Sequence, residues 1–221
     1  MHFNHDQITN IHKNAESLQH HWEKTDEFSG SGYENFIHDR RIAFAKIILE
    51  TNPKSVLEIG CFGGYNLSII HQLDPDVKLT GFDINEAALR YAKEKLNCIE
   101  TVHGSIYELR DYFKEGQFDV VFTAGVLIHI PSWDFGKEEA DATLIKKICE
   151  NIYDISTNHV FHAEHHTKKF GPKANRHKGV RFFHNFLELY GHLGETEIET
   201  APHAGHGFEH IIKITKKETI E

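Results

Sequence analysis

The sequence has few cysteines and no long apolar run. Cys61, Cys98 and Cys149 are the 3 cysteines among 221 residues, and none of them has the C-x-x-C spacing of a redox or zinc motif. We therefore predict free thiols and no disulfide framework. The apolar runs, such as residues 126–130, are far shorter than the roughly 20 residues that a membrane-spanning helix needs. We expect a soluble protein.

Positive charge is also scarce. The chain has 24 Lys and Arg against 33 Asp and Glu, a formal net charge of −9. It lacks the positive face that extended contact with a phosphate backbone needs, so we predict no nucleic-acid partner and expect a small-molecule partner. Because no basic segment followed by an apolar stretch begins the chain, no secretory signal is predicted. We expect a cytoplasmic protein without a membrane partner, and the sequence is compatible with a homodimer.

Apolar periodicity predicts an α/β protein with one structural domain. Residues 1–52 are predicted to be an N-terminal helical segment, with helices over 8–22 and 36–49. In residues 53–221, short buried strands alternate with helical stretches, which is typical of a parallel sheet covered by helices on both faces. Residues 180–190 are predicted to form a late helix. Two final strands joined only by a loop predict a closing antiparallel hairpin.

Two motifs follow consecutive predicted strands. Glu58 and the glycine-rich turn Gly60-Cys61-Phe62-Gly63-Gly64 end the first strand, and Asp83 ends the second, 25 residues after Glu58 (83 − 58). In an open parallel sheet the carboxyl ends of the strands face a ligand crevice. A carboxylate placed there can accept two hydrogen bonds from a ribose diol. The turn does not supply the G-x-G-x-x-G spacing of a nicotinamide enzyme.

These motifs resemble those of the class I S-adenosylmethionine-dependent methyltransferases, which share an E-x-G-x-G-x-G first motif and an acidic second motif. The similarity covers residues 53–216. It implies a Rossmann-like, doubly wound, seven-stranded sheet with a closing antiparallel hairpin. It also implies S-adenosyl-L-methionine as cofactor and S-adenosyl-L-homocysteine as product. Phe62 stands where the family has its middle glycine, with Gly63 directly after it, so we predict a turn displaced by one residue.

The resemblance implies cofactor-binding roles in four segments. The acid that ends the first strand would organise the methionine end of the cofactor, and the acid that ends the second would bind the ribose. A serine after the third strand would meet the adenine amino group, isoleucines would pack on the adenine face, and the end of the fourth strand would border the methionine. The predicted set is Glu58, Gly60, Cys61, Gly64, Asp83, Ile84, Ser105, Ile106, Ala124 and Gly125.

His129, which follows the fourth strand, is the predicted general base. In-line methyl transfer needs alignment of the nucleophile, and a hydroxyl or ammonium acceptor must also lose a proton. A histidine that braces the loop before Pro131 is the alternative. The family resemblance further implies that the N-terminal segment covers the active site. The predicted substrate-binding residues are Trp22, Tyr33, His162, His165, His166, Lys169 and Arg176.

Histidines concentrate around the predicted fifth strand. His159, His162, His165, His166 and Glu164 are residue types that bind zinc or iron. Strand alternation, however, sends His159 and His162 to opposite faces of the sheet. We therefore predict that His162, His165 or His166 lines the substrate pocket, and we predict no metal site.

Residues 168–178 carry five positive charges and no acid within an acidic protein. This reversal of sign favours recognition of a carboxylate- or phosphate-bearing acceptor, and a solvated loop is the alternative. The helical N-terminal segment and the stretch Gly-Val-Leu-Ile-His-Ile at residues 125–130 also resemble methylases associated with pseudaminic acid biosynthesis. The predicted function is methyl transfer to O or N of a small anionic metabolite. A non-catalytic S-adenosylmethionine-binding or partner protein, and a protein or nucleic-acid methyltransferase, are the alternatives.

Overall fold

A computed structural model describes residues 39–130, 142–168, 171–174, 180–205 and 208–217. The predicted N-terminal helix over 8–22 lies outside these residues, as do Trp22, Tyr33, Lys169 and Arg176. The chain divides after Lys114 into two compact units, which are described in turn. Within the described residues, no helix is both long and apolar enough to cross a membrane.

The first unit contains three parallel strands. β2 lies between β1 and β3, and the register pairs Ile59 with Phe82 and Asp83 with His103. The residues that end these strands therefore lie along one edge of the sheet. In chain order the elements are α1 (Asp39–Leu49), β1 (Ser55–Ile59), α2 (Tyr65–Leu73), β2 (Lys78–Asp83), α3 (Glu86–Lys95), β3 (Ile99–His103), a 3₁₀ turn (Ile106–Glu108) and α4 (Leu109–Tyr112).

Local sequence explains where α3 begins and ends. Asn85 is the N-cap, and its side-chain oxygen accepts a hydrogen bond from the main-chain N–H of Ala88 at 2.9 Å. Asparagine is among the most favourable N-cap residues because it satisfies one of the unpaired N–H groups of the first turn. Glu86 lies in the first turn and Lys93 and Lys95 in the last, which complements the helix dipole. The end of β2 therefore leads directly into a well-capped helix.

The second unit contains a mixed arrangement of strands. β4 and β5 are parallel, while β9 is antiparallel to both β5 and β8. β6 and β7 form a separate antiparallel pair. The elements are β4 (Phe118–Ala124), a 3₁₀ turn (Leu127–His129), α5 (Thr143–Ile155), β5 (Ser156–Glu164), β6 (Gly171–Ala174), β7 (Val180–Phe183), α6 (Phe186–Tyr190), β8 (Gly194–Gly205) and β9 (Phe208–Lys216).

The predicted α/β, Rossmann-like fold class with a seven-stranded sheet is confirmed, and the predicted closing hairpin is β8 and β9. The core of the second unit is built on α5, whose apolar residues recur every three or four positions and are buried. They are Leu144, Ile145, Ile148, Cys149, Ile152 and Ile155.

The predicted helix over residues 180–190 is wrong in its first half. Residues Val180–Phe183 form β7, whose partner is β6 within the basic stretch. The sequence Val-Arg-Phe-Phe is rich in the β-branched and aromatic residues that favour strands. Asn185 then caps α6, with its side-chain oxygen accepting from the Glu188 N–H at 3.4 Å. The helix therefore starts after the polar pair His184-Asn185.

The three cysteines are free thiols, as predicted. Cys61 and Cys149 are buried, whereas Cys98 is exposed. Burial raises the pKa of Cys149 to about 12. Burial also raises the pKa of Cys61 well above its ordinary value, and the carboxylates of Glu58 and Asp83 add to this effect. These two thiols are therefore not ionised near neutral pH.

Candidate functional site

The turn between β1 and α2 has three left-handed positions. Gly60, Phe62 and Gly64 have φ angles of 73°, 48° and 75°. They are the three glycine positions of the E-x-G-x-G-x-G pattern, so Phe62 adopts the backbone conformation of the middle glycine. The predicted displacement of the turn by one residue is therefore wrong. This conformation costs a residue with a Cβ about 1–2 kcal/mol.

Asp83 is fixed by main-chain donors. Its Oδ2 accepts from the N–H of Phe62 at 2.7 Å, and its Oδ1 accepts from the N–H of Asn85 at 2.8 Å. Burial raises the pKa of Asp83, while these hydrogen bonds act in the opposite direction. A carboxylate has about four acceptor positions, so the two donors do not exhaust it. Asp83 can therefore still accept from the hydroxyls of a ribose.

Glu58 belongs to a short chain of polar side chains. Its Oε1 accepts from Asn66 Nδ2 at 2.5 Å, and Asn66 Oδ1 accepts from Arg41 Nη1 at 2.6 Å. Its Oε2 is buried and accepts no hydrogen bond of normal geometry from the described residues. Burial raises the pKa of Glu58 to about 8, against the opposing effects of Asn66 and Arg41. A ligand that carries a cation or an N–H group would satisfy this oxygen.

Sequence analysis missed Arg41 and Asn66. Asn66 is buried in the first turn of α2, eight residues after Glu58. A polar residue in the first turn after a glycine-rich loop is the signal that could have revealed it. Arg41 lies in α1 and gives no such signal, because its contact with Asn66 spans 25 positions of sequence.

Tight packing surrounds the glycine-rich turn. A Cβ on Gly81 would lie 2.6 Å from Sγ of Cys61, and a Cβ on Gly64 would lie 3.0 Å from Cδ1 of Leu96. Gly64 is therefore needed for the approach of the turn to the end of α3. The Cys61 side chain points toward β2, so the predicted cofactor contact of Cys61 can involve only its main chain.

The predicted adenine-contacting residues lie at the same sheet edge as Asp83. The N–H of Gly104 donates to the carbonyl oxygen of Asp83 at 3.0 Å. The hydroxyl of Ser105 accepts from the N–H of Tyr107 at 3.4 Å and so caps the following 3₁₀ turn. Ile84 and Ile106 are half-buried. This edge thus combines a carboxylate, a hydroxyl and two partly accessible apolar side chains.

In the second unit, Glu164 holds the turn that follows β4. Its Oε1 accepts from the N–H groups of Val126 at 2.7 Å and Leu127 at 3.0 Å. Gly125 has a φ of 70°, and a Cβ there would meet no described atom within 4 Å. The half-buried Ala124 precedes it at the end of β4. Among the described residues, therefore, nothing fills the space beside Gly125.

A buried hydrogen-bonded chain leads to Glu164. Thr123 Oγ1 donates to Glu164 Oε1 at 3.0 Å. Because this uses its only hydrogen, Thr123 must accept from Nδ1 of His162, which lies 2.8 Å away. Nε2 of His162 then accepts from the hydroxyl of Tyr190 at 2.8 Å. All four side chains are buried. Both ring nitrogens of His162 have partners within the chain, and its contact with substrate stays a prediction.

Two buried groups fix the 3₁₀ turn that carries His129. Glu164 accepts from its first N–H groups, and Nε2 of His184 donates to the carbonyl oxygen of Leu127 at 2.7 Å. Burial raises the pKa of Glu164 to about 7, while it lowers the pKa of His184 to about 4 and that of His162 to about 3. His129 itself is half-buried. It therefore sits on a turn whose backbone is held from two sides.

His165 and His166, directly after β5, lie beside the start of β9. Nδ1 of His165 is 2.5 Å from Oε2 of Glu209. The N–H of His166 donates to Nδ1 of His210 at 3.2 Å. Their contact with substrate stays a prediction. Sequence analysis did not anticipate Glu209 and His210, because only the pairing of β5 with β9 brings them here.

Residues 56–145 match the family model of a methyltransferase domain. A malonyl-[acyl-carrier protein] O-methyltransferase from Anoxybacillus flavithermus is 32% identical over 66 residues, which are 27% of this chain and 26% of that protein. The aligned segment thus spans about a quarter of the curated relative.

Solved structures share the fold at low sequence identity. The N-methyltransferase NodS from Bradyrhizobium japonicum, in complex with S-adenosyl-L-homocysteine, has a TM-score of 0.63 and 15% identity, over 93% of this chain and 100% of that one. Magnesium protoporphyrin IX methyltransferase from Synechocystis has a TM-score of 0.61 and 12% identity, over 92% and 100%. The fold is that of the class I S-adenosylmethionine-dependent methyltransferases. The resemblance predicted from the sequence is confirmed.

Proposed function

We propose that this chain is an S-adenosylmethionine-dependent methyltransferase that acts on a small molecule at oxygen or nitrogen. The observation that carries the proposal is the Asp83 carboxylate, fixed by the N–H groups of Phe62 and Asn85 at the end of β2. In an open α/β sheet this position faces the ligand. A dinucleotide enzyme shares the carboxylate, but the turn here has the three left-handed positions of the methyltransferase pattern.

The residues of the first unit fit this cofactor. Asp83 would bind the ribose hydroxyls, and Ile84 and Ile106 would pack against the adenine. The buried Oε2 of Glu58 accepts no hydrogen bond of normal geometry from the described residues, and it would be satisfied by the cationic methionine end. Ser105 would accept from the adenine amino group with its remaining lone pair.

His129 would serve as the general base. The bound cofactor supplies an electrophilic methyl group, so the protein needs only to position the acceptor and remove its proton. The turn of His129 is fixed by Glu164 and His184, which limits the freedom of the imidazole position. A fixed base is what proton removal during attack requires.

An anionic acceptor is the narrower part of the proposal. It rests on the charge of residues 168–178, with Lys169 and Arg176 as contacts. Exposed charges are screened over about 8 Å at physiological ionic strength. Replacing Lys169 and Arg176 with Gln should therefore raise KM for the acceptor as added salt does, without changing cofactor affinity. A KM that changes neither with the two substitutions nor with added salt would exclude an anionic acceptor. The cytoplasmic location also stays a prediction.

The proposal is tested by binding and turnover together. Calorimetry should show binding of S-adenosylmethionine and of S-adenosylhomocysteine by the purified chain. Radiolabelled methyl groups should then enter small molecules of a cell extract, separated from its protein and nucleic acid by size. Binding without transfer would favour the non-catalytic alternative, and label in macromolecules would favour the protein or nucleic-acid methyltransferase. Absence of binding would remove the function altogether.

A further inference from the structure

A cluster of metal-binding residue types forms where β5 ends beside β9. The register pairs Glu164 with His210, so His165 comes next to Glu209 and His210. His165, Glu209 and His210 each offer one ligand atom, and these atoms lie within 4.8 Å of one another. Residues that are at least 44 positions apart in the sequence (209 − 165) thus converge on one point.

We propose that His165, Glu209 and His210 form a binding site for a divalent transition-metal ion. Two imidazoles and one carboxylate are a ligand set suited to zinc, and also to iron, cobalt or nickel. Tetrahedral zinc with bonds of about 2.0–2.1 Å holds its ligand atoms roughly 3.3 Å apart. The present ligand atoms lie within 4.8 Å of one another, so metal binding would require the side chains to adjust.

The surroundings favour this use of the cluster. The His165 ring packs against Phe183, with centroids 3.9 Å apart, which limits its rotation. His165, Glu209 and His210 are all partly exposed, so an ion can enter from solvent. Three protein ligands leave at least one coordination position for water or a small anion. The site lies at the carboxyl end of β5, and it was not predicted from the sequence.

An isolated histidine–glutamate ion pair is the competing explanation. Such a pair would need only His165 and Glu209, whose atoms are 2.5 Å apart. His210 distinguishes the two explanations. Its ring lies edge-on to that of His165, at 5.7 Å between centroids, although it has no part in the ion pair. Removal of His210 should therefore weaken a metal site and leave an ion pair intact.

The experiment uses the full chain stripped of metal with a chelator. Zn²⁺ alone is titrated by calorimetry into the wild type and into His165→Ala, Glu209→Gln and His210→Ala. His192→Ala is the matched control, because the chain has 19 histidines that can bind zinc weakly. His192 is exposed and precedes Gly194, which pairs with Lys216 at the opposite end of the hairpin.

We expect the wild type and His192→Ala to bind one zinc ion per chain with equal affinity. Each cluster variant should bind at least about 10-fold more weakly, the scale of loss for disturbed metal sites. Zinc should also raise the unfolding temperature of the wild type and not that of the variants. The proposal fails if His210→Ala binds zinc as the wild type does, or if the control loses as much. If one of the three cluster variants does not fold, the zinc affinities of the other two test the proposal. Methyl transfer is not measured, so the result is independent of the proposed function.

Discussion

The main-chain N–H of Phe62 donates a hydrogen bond to Oδ2 of Asp83 at 2.7 Å. This bond joins the turn after β1 to the end of β2, so the two sequence motifs form one structural unit. The donor residue has a left-handed φ of 48°. The hydrogen bond and the left-handed conformation thus occur at the same residue, and a change at Phe62 or Asp83 should affect both motifs.

Asp83→Asn should weaken binding of S-adenosylhomocysteine by about 1–3 kcal/mol. An amide retains one acceptor oxygen but places an N–H₂ group against a main-chain donor, and a lost hydrogen bond to a charged group costs this amount. Calorimetry measures the change. The matched control is Asp76→Asn, an exposed aspartate before β2, which should bind as the wild type does. Equal affinities in all three proteins would exclude Asp83 from the site.

Phe62→Gly should be more stable than Phe62→Ala by about 1 kcal/mol, because a Cβ is disfavoured at positive φ. At ordinary positions the order is reversed, and glycine is less stable than alanine by about 0.5–1 kcal/mol. Both variants lose the phenyl ring, so the difference between their free energies of unfolding reports the backbone conformation at position 62. Urea unfolding gives the two free energies of unfolding. An alanine variant as stable as the glycine variant would contradict the left-handed conformation.

Glu164→Gln should change how stability depends on pH. Burial raises the pKa of Glu164 to about 7 in the folded state, above its value in the unfolded chain. The carboxyl group therefore contributes stability below its unfolded pKa, and this contribution is lost as pH rises through 7. Each unit of pKa difference corresponds to about 1.4 kcal/mol.

The free energy of unfolding of the wild type, minus that of Glu164→Gln, should fall between pH 5 and pH 8. Urea unfolding at intervals of one pH unit measures this difference. Glu150→Gln, a partly exposed glutamate that pairs with Lys147, is the control for the same change of side chain. A flat profile for Glu164→Gln would show that the buried carboxyl does not titrate in this range.

His129→Ala should lower kcat by about 10²–10⁴-fold and leave cofactor affinity nearly unchanged, because a general base acts in the transition state. The exposed His192→Ala variant is the control for loss of an imidazole. Steady-state kinetics with the acceptor found in the cell extract gives the ratio. An unaltered kcat would assign His129 to bracing the loop before Pro131.

The sequence predicted the parts of the fold that local patterns determine. β1, β2 and the helices after them follow from short apolar runs and the helical stretches between them, and the predicted motif positions Glu58 and Asp83 lie at strand ends as expected. The conformation of Phe62 did not follow, because a phenylalanine gives no local sign that it will take a glycine's φ.

Contacts between distant residues were beyond the reach of sequence patterns. Hydrogen bonds connect Tyr190 through His162 and Thr123 to Glu164. The residues that each bond joins are up to 41 positions apart in the sequence. A polar residue in an alternating strand gives the same pattern whether it faces a pocket or a buried partner. The buried partners of His162 could therefore not be predicted from the sequence pattern.

The burial of two thiols makes the third a selective chemical handle. Cys61 packs against Gly81 and Cys149 lies in the core of α5, whereas Cys98 is exposed between α3 and β3. The thiolate is the species that alkylating reagents attack, and burial raises the pKa of both inner thiols. A maleimide dye should therefore attach to Cys98 alone in the native protein. The wild-type protein can thus carry a single fluorophore at Cys98 without cysteine mutagenesis. Cys98 lies five residues before the end of β3 and close in sequence to Ser105 and Ile106, the predicted adenine contacts.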